Sequence, residues 1–322
     1  MRIAKRLISL LKPGYLSVSS GILRLGYPLL RRMLRNKRAL TVKKVIAMAL
    51  VPAFLAGKRP QRHFESETIF GFRIAGDTRD IIPAIIDFLG VFEENLSYWF
   101  IEQLRPGDVF VDVGAHVGYF SLLASVSVGA SGRVIAIEAS PATFGLLMRN
   151  ISLNPKLKNI RAVNCAASDV EGRVKIYRGP KESTGLTSIF PRKGNIFEAE
   201  VGTKPLVEIL TTAEIQRMRI VKIDVEGAEF HVVEGLFQSG LRGMREDLEI
   251  IVETSKDWTY RGQRGSVDKM INMFRHWGFN AYAMKKQFFV NPATMFRPVR
   301  IKEDPCWGYF DLIFSRRDRE RL

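Results

Sequence analysis

Residues 108–138 read DVFVDVGAHVGYFSLLASVSVGASGRVIAIE. Val109 to Val113 is a short apolar, β-branched run, and Gly114 to Gly118 interrupts it. Tyr119 to Val128 carries apolar residues at helical spacing, and Arg133 to Glu138 is a second apolar run that ends on an acid. The stretch is a β-α-β unit. It sets the fold class as α/β, a Rossmann-like sheet with helices on both faces and ligands beyond the carboxyl ends of the strands.

The glycines fall as Asp112-x-Gly114-x-x-x-Gly118, not as the Gly-x-Gly-x-x-Gly that seats a pyrophosphate on a helix N-terminus. That spacing suits a cofactor without phosphates and disfavours a nicotinamide-dependent oxidoreductase. Gly114 lets a ligand approach the backbone, Gly118 lets the following helix sit close to the sheet, and Ala115 and His116 complete the loop. Glu138, at the end of the second strand, is placed to accept from the two hydroxyls of a ribose. A ribose without a pyrophosphate points to S-adenosylmethionine. Asp112 then faces the amino-acid end of that ligand or orients the loop; the plain alternative is a tight turn with Glu138 an ordinary surface acid.

The formal charge of +16 is localised. Residues 1–64 hold 15 Lys or Arg and no acid, which leaves 34 basic against 33 acidic groups in the other 258 residues, a net of +1. The body therefore has no charge excess that draws it to nucleic acid; a nucleic-acid-binding protein would have to use the N-terminal arm alone. Within that arm, Val45 to Ala56 is apolar for only 12 residues and is broken by Pro52, too short to cross a bilayer. Residues 1–62 read as a basic, partly apolar helical extension, either lying on an anionic membrane face or simply solvated. Residues 63–322 form the main domain, with its cofactor-binding core at about 105–255. Two cysteines, Cys165 and Cys306, make no disulfide framework and fit a reducing cytoplasm; the membrane-face reading of residues 1–62, as against the solvated one, would place the chain peripherally at its inner face.

Upstream, TIFGFRIAG predicts a strand or hairpin, and Asp80 to Leu89 and Phe92 to Leu104 predict helices. Downstream, Ser140-Pro141 opens a helix with a serine cap and an early proline, and Ile160 to Cys165 is a third strand. Asp169 follows it as an acceptor for an exocyclic amine, with a turn-forming aspartate before Gly172 the competing reading. Gly172 to Tyr177 reads as an edge strand. Arg178 to Pro205 reads as a long loop with one short strand near Leu186 to Phe190, and is taken as part of an acceptor-binding wall.

The second chemical cluster is Lys222-Ile223-Asp224-Val225-Glu226-Gly227-Ala228-Glu229, at the end of a fourth strand. Asp224 and Glu226 project toward the crevice of Gly114 and Glu138 and are candidate general bases. Glu229 is grouped with them, although an acid in the first turn of a helix is favourable in any case. His116 and His231 are rivals for proton transfer. A divalent metal on Asp224, Glu226 and Glu253 is a further route, less favoured. Leu248 to Glu253, Asn280 to Met284 and Tyr309 to Phe314 predict the remaining strands.

The segments VFVDVGAHVGYFSLLAS, VIAIEASPATFGLLMRNISLN, NCAASDVEG, VKIDVEGAEFHVVEGL and IIVE, within residues 109–253, together resemble the FkbM family of S-adenosylmethionine-dependent methyltransferases. The resemblance implies a class I methyltransferase fold, a seven-stranded sheet with one antiparallel strand, and methyl transfer to a hydroxyl. It implies cofactor positions at Gly114, Glu138 and Asp169 and a catalytic edge at Asp224. His116 and Ala139 depart from the family pattern, where asparagine and proline are usual. The acceptor the resemblance implies is a glycan, glycolipid or polyketide-like hydroxyl, a small-molecule or saccharide partner. The absence of an Asn-Pro-Pro-aromatic motif after the fourth strand also favours oxygen over amino nitrogen. A catalytically silent scaffold is the alternative that keeps the fold without the reaction.

Overall fold

The computed structural model describes residues 61–238, 240, 243–254, 259–260, 263–264, 266–285, 297–301 and 310–318. Residues 1–60 of the basic N-terminal segment, and with them its membrane-surface reading, lie outside these residues. The described chain packs as two compact units, one reaching Phe92 and including Lys181–Ser183, the other formed by Glu93–Pro180 and the chain from Thr184 onward.

In the first unit, β1 (His63–Glu67) and β2 (Arg73–Asp77) form an antiparallel hairpin; the stretch expected to hold a strand or hairpin, Thr68–Gly76, supplies its turn and most of β2, while β1 lies before it. Helix α1 (Ile81–Leu89) follows; the Asp80 side chain accepts from the Ile82 amide and Gly90 closes the helix in the left-handed region. The Arg62 guanidinium reaches the fully buried Asp87 at 2.7 Å.

The second unit starts with α2 (Glu94–Gln103) and the β-α-β unit read from the sequence: β3 (Val109–Val113), α3 (Tyr119–Val128) and β4 (Arg133–Ile137). Helix α4 (Pro141–Ser152) has the expected serine cap, Ser140 accepting from the Thr143 amide, and β5 (Ile160–Val163) pairs parallel with β4. The chain then leaves the sheet. β6 (Ala166–Ser168), β7 (Gly172–Arg178) and β8 (Ile196–Pro205) make a separate three-stranded sheet in the order β6-β8-β7. Two short helices, α5 (Leu206–Ile209) and α6 (Thr212–Arg217), lead back to β9 (Met218–Ile223). After it come α7 (Glu229–Phe237), β10 (Glu249–Glu253), the small hairpin β11 (Thr259–Tyr260) and β12 (Gln263–Arg264), and α8 (Val267–His276). The last strands are β13 (Asn280–Lys285), β14 (Val299–Arg300) and β15 (Phe310–Ser315).

The main sheet runs β14-β13-β15-β10-β9-β3-β4-β5. The seven strands from β13 to β5 include one, β15, antiparallel to both its neighbours, and the two-residue β14 extends the edge. Every residue of β3 and β9 is buried, as central parallel strands covered on both faces require. The switch between β3, which continues to β4, and β9 places the ends of these strands side by side, where an open α/β sheet holds its ligand.

One part of the sequence reading is corrected. No strand occupies Leu186 to Phe190, where there is a 3-10 turn at Thr184–Leu186 and a single bridge between Tyr177 and Ser188. The strand is β8, ten residues long, placed in what read as loop. Its first five residues are all exposed or half-exposed and only Glu200 to Pro205 alternate, so the apolar alternation that marks a strand covers just its second half. Gly172 to Tyr177 is an edge strand as expected, but of the small sheet.

Candidate active site

Three non-glycine residues among those described have positive φ: Glu93, His116 and Glu226. Two of them are in the motifs that the sequence singled out, and such strained backbone gathers at functional sites. His116 (φ 51°) stands in the loop after β3, between Gly114 (φ 82°) and Gly118 (φ 87°). The Gly114 and Ala115 amides both donate to the Ile137 carbonyl at 2.9 Å, which ties the loop to the end of β4. A Cβ on Gly114 would lie 1.8 Å from the Asp224 carbonyl oxygen, so its first role is to let the ends of β3 and β9 meet. A Cβ on Gly118 would lie 2.6 Å from Leu147 Cδ1, so this glycine admits α4.

Glu138 follows β4 and is 8% exposed. Its Oε2 accepts from the His116 amide and its Oε1 from the Ser140 amide, both at 2.9 Å. One backbone donor per oxygen leaves a lone pair on each for a further hydroxyl. Burial pushes the Glu138 carboxyl up to about 7 against the pull of those two amides. On the same junction, Ser140 Oγ donates to the Glu198 carboxylate of β8, and Glu198 Oε1 accepts from the Ala142 amide at 2.9 Å. The small sheet is thereby joined to the first turn of α4.

At the end of β9 the acids have distinct environments. Lys222 is the register partner of Asp112 on β3, and both are buried. Lys222 Nζ lies 2.7 Å from Asp224 Oδ2 and over the Phe120 ring, 5.1 Å from its centroid. Burial alone would lower the Lys222 ammonium; Asp224 and Asp112 overcome it and hold the group charged. Asp112 accepts from Ser121 Oγ at 2.6 Å, and burial raises its carboxyl despite Lys222. Asp112 is thus beneath the strand ends, while Asp224 is part-exposed at them.

Glu226 (φ 57°) carries Arg192 on its carboxylate: Nη1 donates to Oε2 at 2.7 Å, and Nη2 to the Glu226 carbonyl at 2.8 Å. Ser188 Oγ donates to the same carbonyl at 2.8 Å, and Thr184 Oγ1 lies 2.9 Å from His116 Nε2. The segment from Thr184 to Arg192 therefore touches both chemical motifs. Glu229, grouped from sequence with the candidate bases, is fully buried and accepts from the Gly227 and Val225 amides. Burial pushes it up to about 7, and its geometry is that of a residue holding the turn which presents Asp224 and Glu226.

Asp169 follows β6 and faces α7: its Oδ1 lies 3.2 Å from His231 Nδ1 and 3.0 Å from Ser168 Oγ. Among the described residues, two groups of three His, Asp or Glu have ligand atoms within 4.8 Å of one another, Asp224–Glu226–Glu253 and Asp169–His231–Glu234. The first is the set considered for a divalent ion; its donors suit a hard cation, while Lys222 and Arg192 already supply positive charge to two of the three.

Sequence reasoning did not single out Lys222 or Arg192. Lys222 left a trace, a cation inside the apolar run Ile220 to Ile223, where burial demands a partner. Arg192 left none, because its partner is 34 residues away.

The strand order and the family match below define a class I methyltransferase, dependent on S-adenosylmethionine. The model of the methyltransferase FkbM domain matches residues 112–281, more than half of the chain, and the chain belongs to that family. Methyltransferase sdnD of Sordaria araneosa is 25% identical over 199 residues, 53% of this chain and 74% of that protein. The hexuronic acid methyltransferase AglP of Haloferax volcanii is 25% identical over 144 residues, 45% of this chain and only 56% of AglP. The 31-O-demethyl-FK506 methyltransferase FkbM of Streptomyces tacrolimicus is 24% identical over 217 residues, 58% of this chain and 78% of that enzyme. Among solved structures, a methyltransferase FkbM from Methylobacillus flagellatus aligns at a TM-score of 0.41 and 11% identity, over 92% of this chain and 60% of that one. Among the described residues, no helix is long and apolar enough to cross a membrane.

Proposed function

We propose that the chain methylates a hydroxyl oxygen of a saccharide or polyketide-like acceptor. The observation that carries this reading is the pair Asp224 and Glu226, presented at the end of β9 by a turn whose left-handed residue is Glu226 itself. S-adenosylmethionine would supply a sulfonium methyl group, whose carbon–sulfur bond would break in line with the attacking oxygen, leaving the neutral thioether S-adenosylhomocysteine. Much of the acceleration then comes from holding that oxygen in place. Glu138 takes the ribose hydroxyls on its two remaining lone pairs, and the Gly114–Gly118 loop fixes the position of Glu138 through the His116 amide. Asp224, ion-paired with Lys222, accepts the hydrogen bond of the incoming hydroxyl; as the carbon–oxygen bond forms, the hydroxyl proton passes to Asp224 or Glu226 and on to water.

Two relatives support an oxygen acceptor, one named for a hexuronic acid and one for a 31-O-demethyl polyketide. The 15 basic residues and no acid before residue 65 favour an acceptor handled at an anionic surface such as a membrane. The test is incubation with S-adenosylmethionine labelled in the methyl group and a panel of uronic-acid glycans, neutral glycans and macrolide alcohols. Label in an alkali-stable ether on one of them is expected. Label only in amines, or no binding of S-adenosylhomocysteine, defeats the proposal.

A further inference from the structure

Asp169 has surroundings that a turn-forming aspartate does not need. Such a residue spends its carboxylate on nearby backbone amides. Here, among the described residues, the carboxylate accepts from two side chains and no backbone amide: Ser168 Oγ at 3.0 Å and His231 Nδ1 at 3.2 Å, both on Oδ1. Oδ2 takes part in neither bond. A carboxylate only accepts, so Nδ1 of His231 carries the proton between them.

The fold sets this contact. His231, Gly235 and the C-cap Gln238 form one stripe of α7 at helical spacing, and the stripe lies along the Asp169 segment. A Cβ on Gly235 would stand 1.8 Å from the Ser168 carbonyl oxygen and 3.3 Å from Asp169 Cα, so glycine lets helix and chain touch. Gln238 Nε2 donates to the Asp169 carbonyl. Both partners of the contact lead to the site. Asn164, on the stretch between β5 and β6 that leads to Asp169, donates to the Glu138 carbonyl at 2.8 Å. Helix α7 opens at Glu229, which holds the Val225 and Gly227 amides of the turn bearing Asp224 and Glu226.

We infer that His231 is a positioning residue for the adenine of the cofactor: with Ser168 it occupies Oδ1 of Asp169 and assigns Oδ2 to the exocyclic amine. The inference rests on the methyl-transfer reading above and on Asp169 as the acceptor for that amine. His231 then serves recognition of the base through Asp169, and proton transfer falls to the carboxylates at the end of β9.

The test is calorimetric titration of the full chain with S-adenosylhomocysteine and with S-inosylhomocysteine, which carry an amine and a carbonyl, respectively, at position 6 of the base. Losing the amine donor opposite a carboxylate should make the inosine compound bind the wild type about tenfold or more weakly. The ratio of the two affinities is the readout, because a merely structural role for His231 lowers both alike. His231→Leu and His231→Gln should reduce the ratio at least about threefold, whereas His231→Asn, whose amide nitrogen takes the place of Nδ1, should keep it within about twofold. Thermal melting shows which variants fold, and glutamine serves if leucine does not. A wild-type ratio near one, the wild-type ratio retained by the leucine or glutamine variant, or its loss in His231→Asn as complete as in those variants overturns the inference. Failure of the wild type to bind S-adenosylhomocysteine overturns the methyl-transfer reading instead, so the two failures are distinct.

Discussion

Glu138→Gln removes one negative charge from the cofactor cleft with little change of shape. Glu138 accepts one backbone amide on each oxygen, and its free lone pairs are the ones assigned to the ribose. The glutamine amide nitrogen cannot accept, so one ribose hydroxyl loses a charged acceptor, about 1.5–3 kcal/mol, or about 10- to 100-fold in affinity. The same nitrogen also faces the His116 or Ser140 amide, which then lacks a partner and costs about 1–3 kcal/mol of stability. The assay is calorimetry with S-adenosylhomocysteine, with thermal melting to show that the variant is folded. The pH dependence is a second readout. Burial holds the free carboxyl up at about 7, and the ribose needs the ionised form, so binding below that pH must release a proton. Affinity of the wild type should fall by about tenfold per unit below pH 7 and level off above it, and Glu138→Gln should flatten this limb. For stability the sign is reversed. Between the ordinary carboxyl value of 4.5 and about 7 the folded protein keeps a proton that the unfolded chain has lost, so stability falls as pH rises through that window. Glutamine at Glu138 should remove part of that fall, and Glu229 accounts for a similar part. Affinity within about twofold of the wild type, with the pH limb intact, would refute the assignment of Glu138.

Gly114→Ala meets both a positive φ and the Asp224 carbonyl, so it should cost about 2–4 kcal/mol in chemical denaturation, whereas Gly194→Ala, with open space around it, should cost only the strain of its backbone. Lys222→Met leaves Asp112 and Asp224 without their shared cation and should destabilise by about 3–5 kcal/mol in urea, with Lys222→Arg recovering part of the loss. Asp224→Asn should lower kcat by about 10²- to 10⁴-fold on whichever acceptor the labelling screen finds, with the affinity for S-adenosylhomocysteine reduced far less; the reverse pattern would move Asp224 from the chemistry to the cofactor.

The central β-α-β unit was legible because its signals are local: β3 and β4 are short apolar runs, and Gly114 and Gly118 punctuate them where a side chain would strike Asp224 or Leu147. Ser140 and Pro141 announced α4 for the same reason. β8 was not legible, since only Val201, Thr203 and Pro205 along its length are buried and its pairing with β6 and β7 supplies what its own pattern lacks. In the site, the acids could be read from their places after strands, but not their neighbours. That Glu229 turns inward to two amides, and that Arg192 crosses to Glu226, depend on a fold that brings distant segments together.

Ser140 stands between two carboxylates, its amide on Glu138 and its hydroxyl on Glu198. Glu198 belongs to β8, the strand that runs out of the proposed acceptor wall, so a ribose drawing on Glu138 also pulls, through one serine, on the element that receives the second substrate. The expected consequence is ordered binding, cofactor before acceptor, and a Ser140→Ala enzyme should lose that order in product-inhibition kinetics.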